Sequence, residues 1–276
     1  MSHPDGFLAI DVGSSRVKLG WFPPVGECTS ESKPSELPIA APRLPQPEAT
    51  LAVSHHDQGV LWSQIGAWLQ EFCPQAPPGY IASVHPNTAA LVQEIFGSRL
   101  RPVVTGDLSI DVRVDQPERV GIDRLLNAVA VNRLRQPSRS AIVVDLGTAG
   151  KVDLIGPDGA FEGGAILPGV NLAAKSLHTG TASLPQLRSE DFDQTAPIVG
   201  KSTQQAITSG IYWGIIGAVR ELVTRMSQMC DQPPQLFFTG GGAQQLVLHL
   251  QDDQTFIRHI PNLVLTGVAL VAEQAS

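Results

Sequence analysis

Cysteines, aromatic side chains, charges and long apolar runs are all scarce in this sequence. Only three cysteines occur, Cys28, Cys73 and Cys230, scattered along the chain and odd in number. No two stand in CxxC spacing, which argues against a disulfide framework and a zinc knuckle. The seven histidines offer no HxH or HExxH pattern. Their single adjacent pair, His55-His56, falls in a polar loop and reads as solvated rather than metal-binding. Charged residues make up 16% of the chain, below the usual quarter of a globular domain. The net charge is −7, with no cluster of Lys and Arg, so the basic patch that a nucleic-acid surface needs for counterion release is missing. No stretch approaches the ~18 uninterrupted apolar residues of a membrane span. The opening residues, Met1-Ser2-His3-Pro4-Asp5-Gly6, lack the basic segment of a signal peptide. A soluble cytoplasmic protein is expected.

What the chain does contain is one device used twice. Leu8-Ala9-Ile10-Asp11-Val12-Gly13-Ser14-Ser15 is an apolar run that ends in Asp-x-Gly and two hydroxyl residues. Ile142-Val143-Val144-Asp145-Leu146-Gly147-Thr148-Ala149 repeats the pattern 134 positions later. An extended run resumes after each, Val17 to Phe22 and Val152 to Ile155, so each copy reads as two strands joined by a tight turn. Glycine lets backbone N–H groups approach an anion closely. The hydroxyls add donors for phosphate oxygens, and the strand-end carboxylate suits a hydrated Mg²⁺. One copy would be weak, since Asp and Gly also mark ordinary hairpins; two copies behind β-branched strands indicate a duplicated phosphate clamp. Arg16, Lys18 and Lys151 supply positive charge beside the turns.

At 276 residues with 42% hydrophobic content, two domains sharing a ligand cleft are expected. The boundary is read at 120/121, giving 1–120 with the first phosphate motif and 121–276 with the second. Residues 23–58 are rich in proline and are read as irregular, with short edge strands near Leu37–Ala40 and Ala49–Ser54. Apolar spacing predicts helices over 60–72, over Thr88–Phe96 capped by Asn87 with Leu91, Val92 and Ile95 inward, and from Val120 with Leu125, Leu126, Val129 and Ala130 inward. Further helices are predicted from Asn171 to Leu177, from Ser202 to Met229 (one long helix, or two) and over Ala243–Leu250. In the 202–229 helix, Gly210, Gly214 and Gly217 lie on nearly one face and are read as allowing close helix packing. Tyr80–Val84, Arg101–Thr105 and Leu236–Thr239 read as strands, the last running into Gly240-Gly241-Gly242. The chain closes with a predicted strand at Leu263–Leu265 and an apolar helix from Gly267 to Ala272.

Taken together, these segments resemble the type III pantothenate kinases from Asp11 to the C-terminus, most weakly over residues 23–80. Six motifs line up in order. The first is Asp11-Val12-Gly13-Ser14-Ser15-Arg16-Val17-Lys18, followed by Gly121-Ile122-Asp123-Arg124 and Asp145-Leu146-Gly147-Thr148-Ala149. Gly163 to Gly169, Thr181 to Pro185 and Thr239-Gly240-Gly241 complete the series. The resemblance implies an α/β fold of two RNase H-like domains with an interdomain active-site cleft, as in the acetate kinase, sugar kinase and actin (ASKHA) superfamily, usually as a homodimer. It implies transfer of the ATP γ-phosphoryl group to pantothenate, the first step of coenzyme A synthesis. By position, Asp123 would be the catalytic base. Asp11, Val12, Gly13, Ser14, Ser15, Arg16, Val17, Lys18, Thr148, Gly240 and Gly241 would hold ATP. Gly121, Ile122, Asp123, Arg124 and Thr181 would contact pantothenate. Asp11 would bind Mg²⁺ or another divalent cation, and Asp145 would match the ligand of the family's K⁺ or NH₄⁺.

Elementary chemistry supports these roles. Phosphoryl transfer needs phosphate charge neutralised, groups in line and a carboxylate near the attacking hydroxyl. An alcohol is far less acidic than a carboxylic acid, so Asp123 would orient the hydroxyl and take its proton late. Arg124 suits a bidentate contact with the substrate carboxylate. A plainer reading makes Asp123 and Arg124 ordinary first-turn residues of a surface helix.

Three departures stand out. Ser14-Ser15 replaces the family's Asn-Thr. Val114 stands where a tyrosine often precedes the Gly-x-Asp-Arg motif, and Lys151 follows the second turn. Lys151 either points to solvent or places an ammonium beside Asp145 in the role of the monovalent cation. A second functional reading, a relative that keeps the fold as a nucleotide-binding or regulatory protein, would cite Val114 and Lys151. A kinase for another small hydroxyl substrate is a third.

Overall fold

The structure is a computed structural model and describes residues 6–24, 44–55, 58–73, 77–242, 249 and 257–275. The chain divides into two compact units. Met1–Ile110, Gln116–Leu134 and Leu263–Ser276 form the first; Asp111–Asp115 and Arg135–Asn262 form the second.

The first unit is built on strands β1 (Phe7–Val12), β2 (Arg16–Phe22), β3 (Ala49–Ser54), β4 (Gly79–Ser83) and β5 (Leu100–Pro102), in the order β3-β2-β1-β4-β5. The first three are antiparallel, and β4 and β5 extend the sheet in parallel with β1. All six residues of β1 are buried, as a central strand covered on both faces requires. The edge strand β3 alternates instead. Helices α1 (Gln58–Phe72) and α2 (Pro86–Phe96) bring Leu61, Ile65 and Val92 onto Leu8, Ile10 and Leu19. Helix α3 (Ile122–Asn132) also belongs to this unit.

The second unit repeats the plan. Strands β6 (Ala141–Leu146), β7 (Ala149–Ile155), β8 (Phe161–Pro168), β9 (Gln235–Thr239) and β10 (Ile257–His259) take the order β10-β9-β6-β7-β8. Again the first three are antiparallel and the last two parallel to the leading strand. Helices α4 (Val170–Thr179) and α5 (Thr203–Ser227) lie in this unit. Ile207, Ile211, Ile215 and Val219 of α5 share a core with Ile142, Val144, Val152 and Phe238. Two sheets of matching topology are the duplicated α/β plan expected from the repeated turn. The last helix, α6 (Leu263–Ala275), returns to the first unit.

Several sequence expectations change. The boundary at 120/121 gives way to a discontinuous division, because α3 and α6 pack on each other. Gly267 of α6 lies so close to α3 that a Cβ there would stand 2.4 Å from the Leu126 carbonyl oxygen. The strand expected at Leu263–Leu265 is the first turn of α6, whose residues are buried from Leu263 through Ala272; a wholly buried apolar run carries no periodicity to separate strand from helix. His85, not Asn87, caps α2: its Nδ1 accepts from the Thr88 N–H at 3.3 Å, and Pro86 occupies the first turn, where its missing N–H costs nothing. The buried face is Thr88, Val92 and Phe96, and Ile95 is exposed rather than inward. Helix α4 begins at Val170 rather than after Asn171. No packing partner comes within 4 Å of a Cβ built on Gly210, Gly214 or Gly217, so among the described residues these glycines serve no close helix contact. Leu37–Ala40 and all but His249 of Ala243–Leu250 lie outside the described residues.

Candidate active site

Asp11 stands one residue before the end of β1, directly opposite Lys18 on β2. The Lys18 ammonium lies 3.5 Å from Asp11 Oδ2. Asp11 is buried, and a buried carboxylate needs this sort of compensation. Gly13 N–H donates to the Arg16 carbonyl at 2.9 Å and closes the turn. His55, at the end of β3, braces the turn from outside. Its N–H donates to the Ser15 carbonyl at 3.3 Å, and its Nε2 lies 3.2 Å from the Gly13 carbonyl oxygen. The solvated reading of His55 is therefore corrected; His56 is outside the described residues.

The second turn reproduces this geometry with one residue fewer. Asp145 pairs across the sheet with Lys151, as Asp11 pairs with Lys18. The Lys151 ammonium lies 3.3 Å from Asp145 Oδ2, and its side chain is only 17% exposed, against 34% for Lys18. Lys151 therefore does not point to solvent. It is the structural counterpart of Lys18, an equivalence hidden in the sequence because the carboxylate-to-lysine spacing is seven in one copy and six in the other. Gly169 N–H donates to the Thr148 carbonyl at 3.1 Å, matching the contact of His55 with Ser15. A Cβ on Gly169 would sit 2.2 Å from the Gly147 oxygen, so only glycine permits the approach. Gly240 follows β9 with φ +91°, and a Cβ there would lie 2.6 Å from the Leu146 oxygen and 2.7 Å from Asp145 Oδ1. A glycine is needed on both counts. The Gly242 N–H donates to the same Leu146 carbonyl at 3.0 Å.

Asp123 and Arg124 occupy the first turn of α3, with Gly121 at its N-cap. Asp123 is buried, and its Oδ1 accepts the Arg124 N–H at 2.9 Å. The solvent-exposed first-turn carboxylate of the plainer reading is thereby excluded. A Cβ on Gly121 would stand 2.7 Å from Asp123 Oδ1 and 3.6 Å from Val84 Cγ1. Val84 directly follows β4, and its N–H donates to the Val12 carbonyl at 3.0 Å. The start of α3 is thus set at the carboxyl ends of the adjacent parallel strands β1 and β4, beside the Asp11 turn. Ligands of α/β sheets gather at such strand ends.

The remaining expected residues are less committed. Thr181, in the second unit, is exposed past the end of α4, and its hydroxyl donates to the Leu177 carbonyl at 2.7 Å. Val114 packs its Cγ1 3.4 Å from where a Gly163 Cβ would lie. Among the described residues no three metal-ligating side chains cluster. One buried carboxylate beside turn N–H groups still suits Mg²⁺, which takes its other ligands from phosphates and water. His55 and the pairing of the two lysines were missed by sequence reading. No residue type is shared between Ser54-His55 and Pro168-Gly169, so only the strand register relates them.

Comparisons with known proteins give the family. The family profile of the type III pantothenate kinases matches residues 7–225. A type III pantothenate kinase from Zymomonas mobilis is 37% identical over 192 residues, covering 68% of this chain and 67% of that protein. One from Dinoroseobacter shibae is 34% identical over 223 residues, covering 78% and 83%. Among solved structures, a glucokinase from an Antarctic psychrotroph aligns over 99% of both chains with a TM-score of 0.50 at 12% identity. At that identity the likeness speaks for the fold alone, that of a sugar kinase.

Proposed function

The chain belongs to the type III pantothenate kinase family, and from that premise we propose how its residues carry the reaction. It is an ATP-dependent phosphotransferase that phosphorylates pantothenate, the entry reaction of coenzyme A synthesis. The observation that carries the assignment of roles is the position of Asp123, buried at the strand ends beside the Asp11 turn.

In this reading the N–H groups and hydroxyls of Gly13 to Arg16 receive ATP phosphate oxygens, with Val12, Val17 and Lys18 framing them. Lys18 adds positive charge; in the second unit, Thr148, Gly240 and Gly241 are assigned contacts to ATP by the same reading. Asp11 holds Mg²⁺, whose contribution when bound is to neutralise charge on the phosphates. Gly121 and Ile122 contact pantothenate, Arg124 pairs with the substrate carboxylate, and Thr181 of the second unit is assigned to the same ligand. Asp123 accepts a hydrogen bond from the primary hydroxyl, aims its oxygen at the γ-phosphorus and receives its proton as the new P–O bond forms and the bond from the γ-phosphorus to the bridging oxygen breaks, ADP leaving with that oxygen.

Lys151 takes the part that K⁺ or NH₄⁺ plays elsewhere in the family. Its support is the 3.3 Å contact with Asp145, which already supplies the carboxylate with a fixed cation. A homodimer and a cytoplasmic location belong to the same proposal. An apolar groove of about 650 Å³ along α4 and α5, lined by Ala173, Leu177, Leu184, Ile207 and Ile211, is a surface such a dimer would bury. Sedimentation equilibrium tests it.

The assignment of the base is tested by Asp123→Asn. Phosphorus NMR of the product should show phosphopantothenate from the native enzyme. The variant should lose roughly 10²- to 10⁴-fold in kcat with little change in ATP affinity. A variant of native kcat would remove Asp123 from its role.

A further inference from the structure

We propose that His55 is a positioning residue that sets the direction of the ATP-facing N–H groups in the first turn; this rests on the reading of that turn as a phosphate loop. The ring reaches the Gly13 carbonyl at 3.2 Å through Nε2. A carbonyl oxygen only accepts, so Nε2 carries the hydrogen. The His55 main-chain N–H holds the Ser15 carbonyl as well. Two carbonyls of one short turn are thus drawn toward the end of β3.

A trans peptide points its carbonyl and the following N–H in opposite directions, and no described peptide bond is cis. Fixing the Gly13 oxygen on His55 therefore turns the Ser14 N–H to the other side of the turn. Fixing the Ser15 oxygen does the same for the Arg16 N–H. These are groups the nucleotide reading needs aimed at phosphate, and donors fixed before the ligand arrives cost no reorganisation when it binds.

The ring is itself held. The His85 ring packs against it at 4.6 Å between centroids. His85 is anchored in turn, its N–H donating to Ser83 Oγ at 3.0 Å and its Nδ1 capping α2. The second unit braces the equivalent turn differently. There the Gly169 main-chain N–H donates to the Thr148 carbonyl, and Gly169 packs directly on the Gly147 oxygen. The brace of the first turn is a side chain, which substitution can remove while leaving the strand pairing intact.

The test uses the full-length enzyme and separates KM for ATP, KM for pantothenate and kcat in His55→Ala, His55→Gln and His55→Asn, with thermal unfolding of each. A glutamine amide reaches the position of Nε2, whereas an asparagine amide stops near that of Nδ1. Loss of one positioning hydrogen bond should raise the ATP KM of the Ala and Asn variants roughly five- to twentyfold. Glutamine should restore it to within about threefold, and the pantothenate KM should stay within about twofold throughout. If the Ala variant does not fold, the Gln and Asn pair decides. An ATP KM raised alike in Gln and Asn, or unchanged in Asn, overturns the inference. Asp11→Asn is the control for the underlying reading. If it leaves nucleotide affinity unchanged, the phosphate loop itself is misassigned; if it weakens nucleotide while His55→Asn does not, only the role of His55 falls.

Discussion

Individual residues in this protein are fixed by how little room surrounds them. Asp123 shares its space with Gly121, and a Cβ there would stand 2.7 Å from the carboxylate. Gly121→Ala should therefore displace the base without touching its chemistry. A displacement near 1 Å costs about 10²-fold in rate, so kcat should fall by that order while the unfolding midpoint stays close to native. Steady-state kinetics beside thermal unfolding would check both. Cys73 is a second case. Burial pushes its thiol up to about 11 from an ordinary 9.0. Because the folded value is the higher one, the stability it contributes is complete below pH 9 and is lost as pH rises toward 11. With Cys28 and Cys230 replaced by serine, the remaining thiol should resist a disulfide reagent at pH 8 in the native protein and react at once in denaturant. Fast labelling of the folded form would contradict the burial. Asp11, Asp123 and Asp145 were set apart beforehand by their motifs, and all three are buried in the structure. His55 was not, because its role comes from strand pairing with a segment some forty positions away, and no local pattern records that.

Secondary-structure elements tell a similar story. Strands β1 and β6 declare themselves as apolar runs ending in Asp-x-Gly, and α5 is read to within two residues of its observed ends. The failures fall where the pattern carries no information. Leu263–Ala272 is apolar at almost every position and buried throughout, so neither a period of 2 nor one of 3.6 stands out. What makes it a helix is its partner: α6 lies against α3 closely enough that Gly267 meets the Leu126 backbone. Gly267→Ala should gain about 1 kcal/mol in helix propensity and lose about 1–3 kcal/mol or more from overpacking against main chain that cannot yield. The loss should win, lowering the urea midpoint. Gly66→Ala in α1, where nothing stands within 4 Å of an added Cβ, should show the propensity gain alone. Equal effects at the two sites would mean that α3 and α6 are less closely packed than described.

At the scale of the whole molecule, one plan is used twice with different wear. Both sheets keep the strand order, the parallel and antiparallel pairings, and a carboxylate facing a lysine across the leading hairpin. The repeat was visible in the sequence through its two turns. The domain boundary was not, because the first unit is assembled from three separate stretches of chain. The duplicated lysine gives the molecule its own expectation about salt. Where a fixed ammonium already faces Asp145 at 3.3 Å, an added monovalent cation has little left to neutralise.

The most direct measurement is ADP formation from Mg²⁺-ATP with and without pantothenate, each in sodium and in potassium buffer. Release should depend on pantothenate and proceed at comparable rates in the two salts, with potassium dependence emerging only in Lys151→Thr. Activity confined to potassium would contradict the role of Lys151. A folded protein that releases no ADP in response to pantothenate in either salt would contradict the kinase itself.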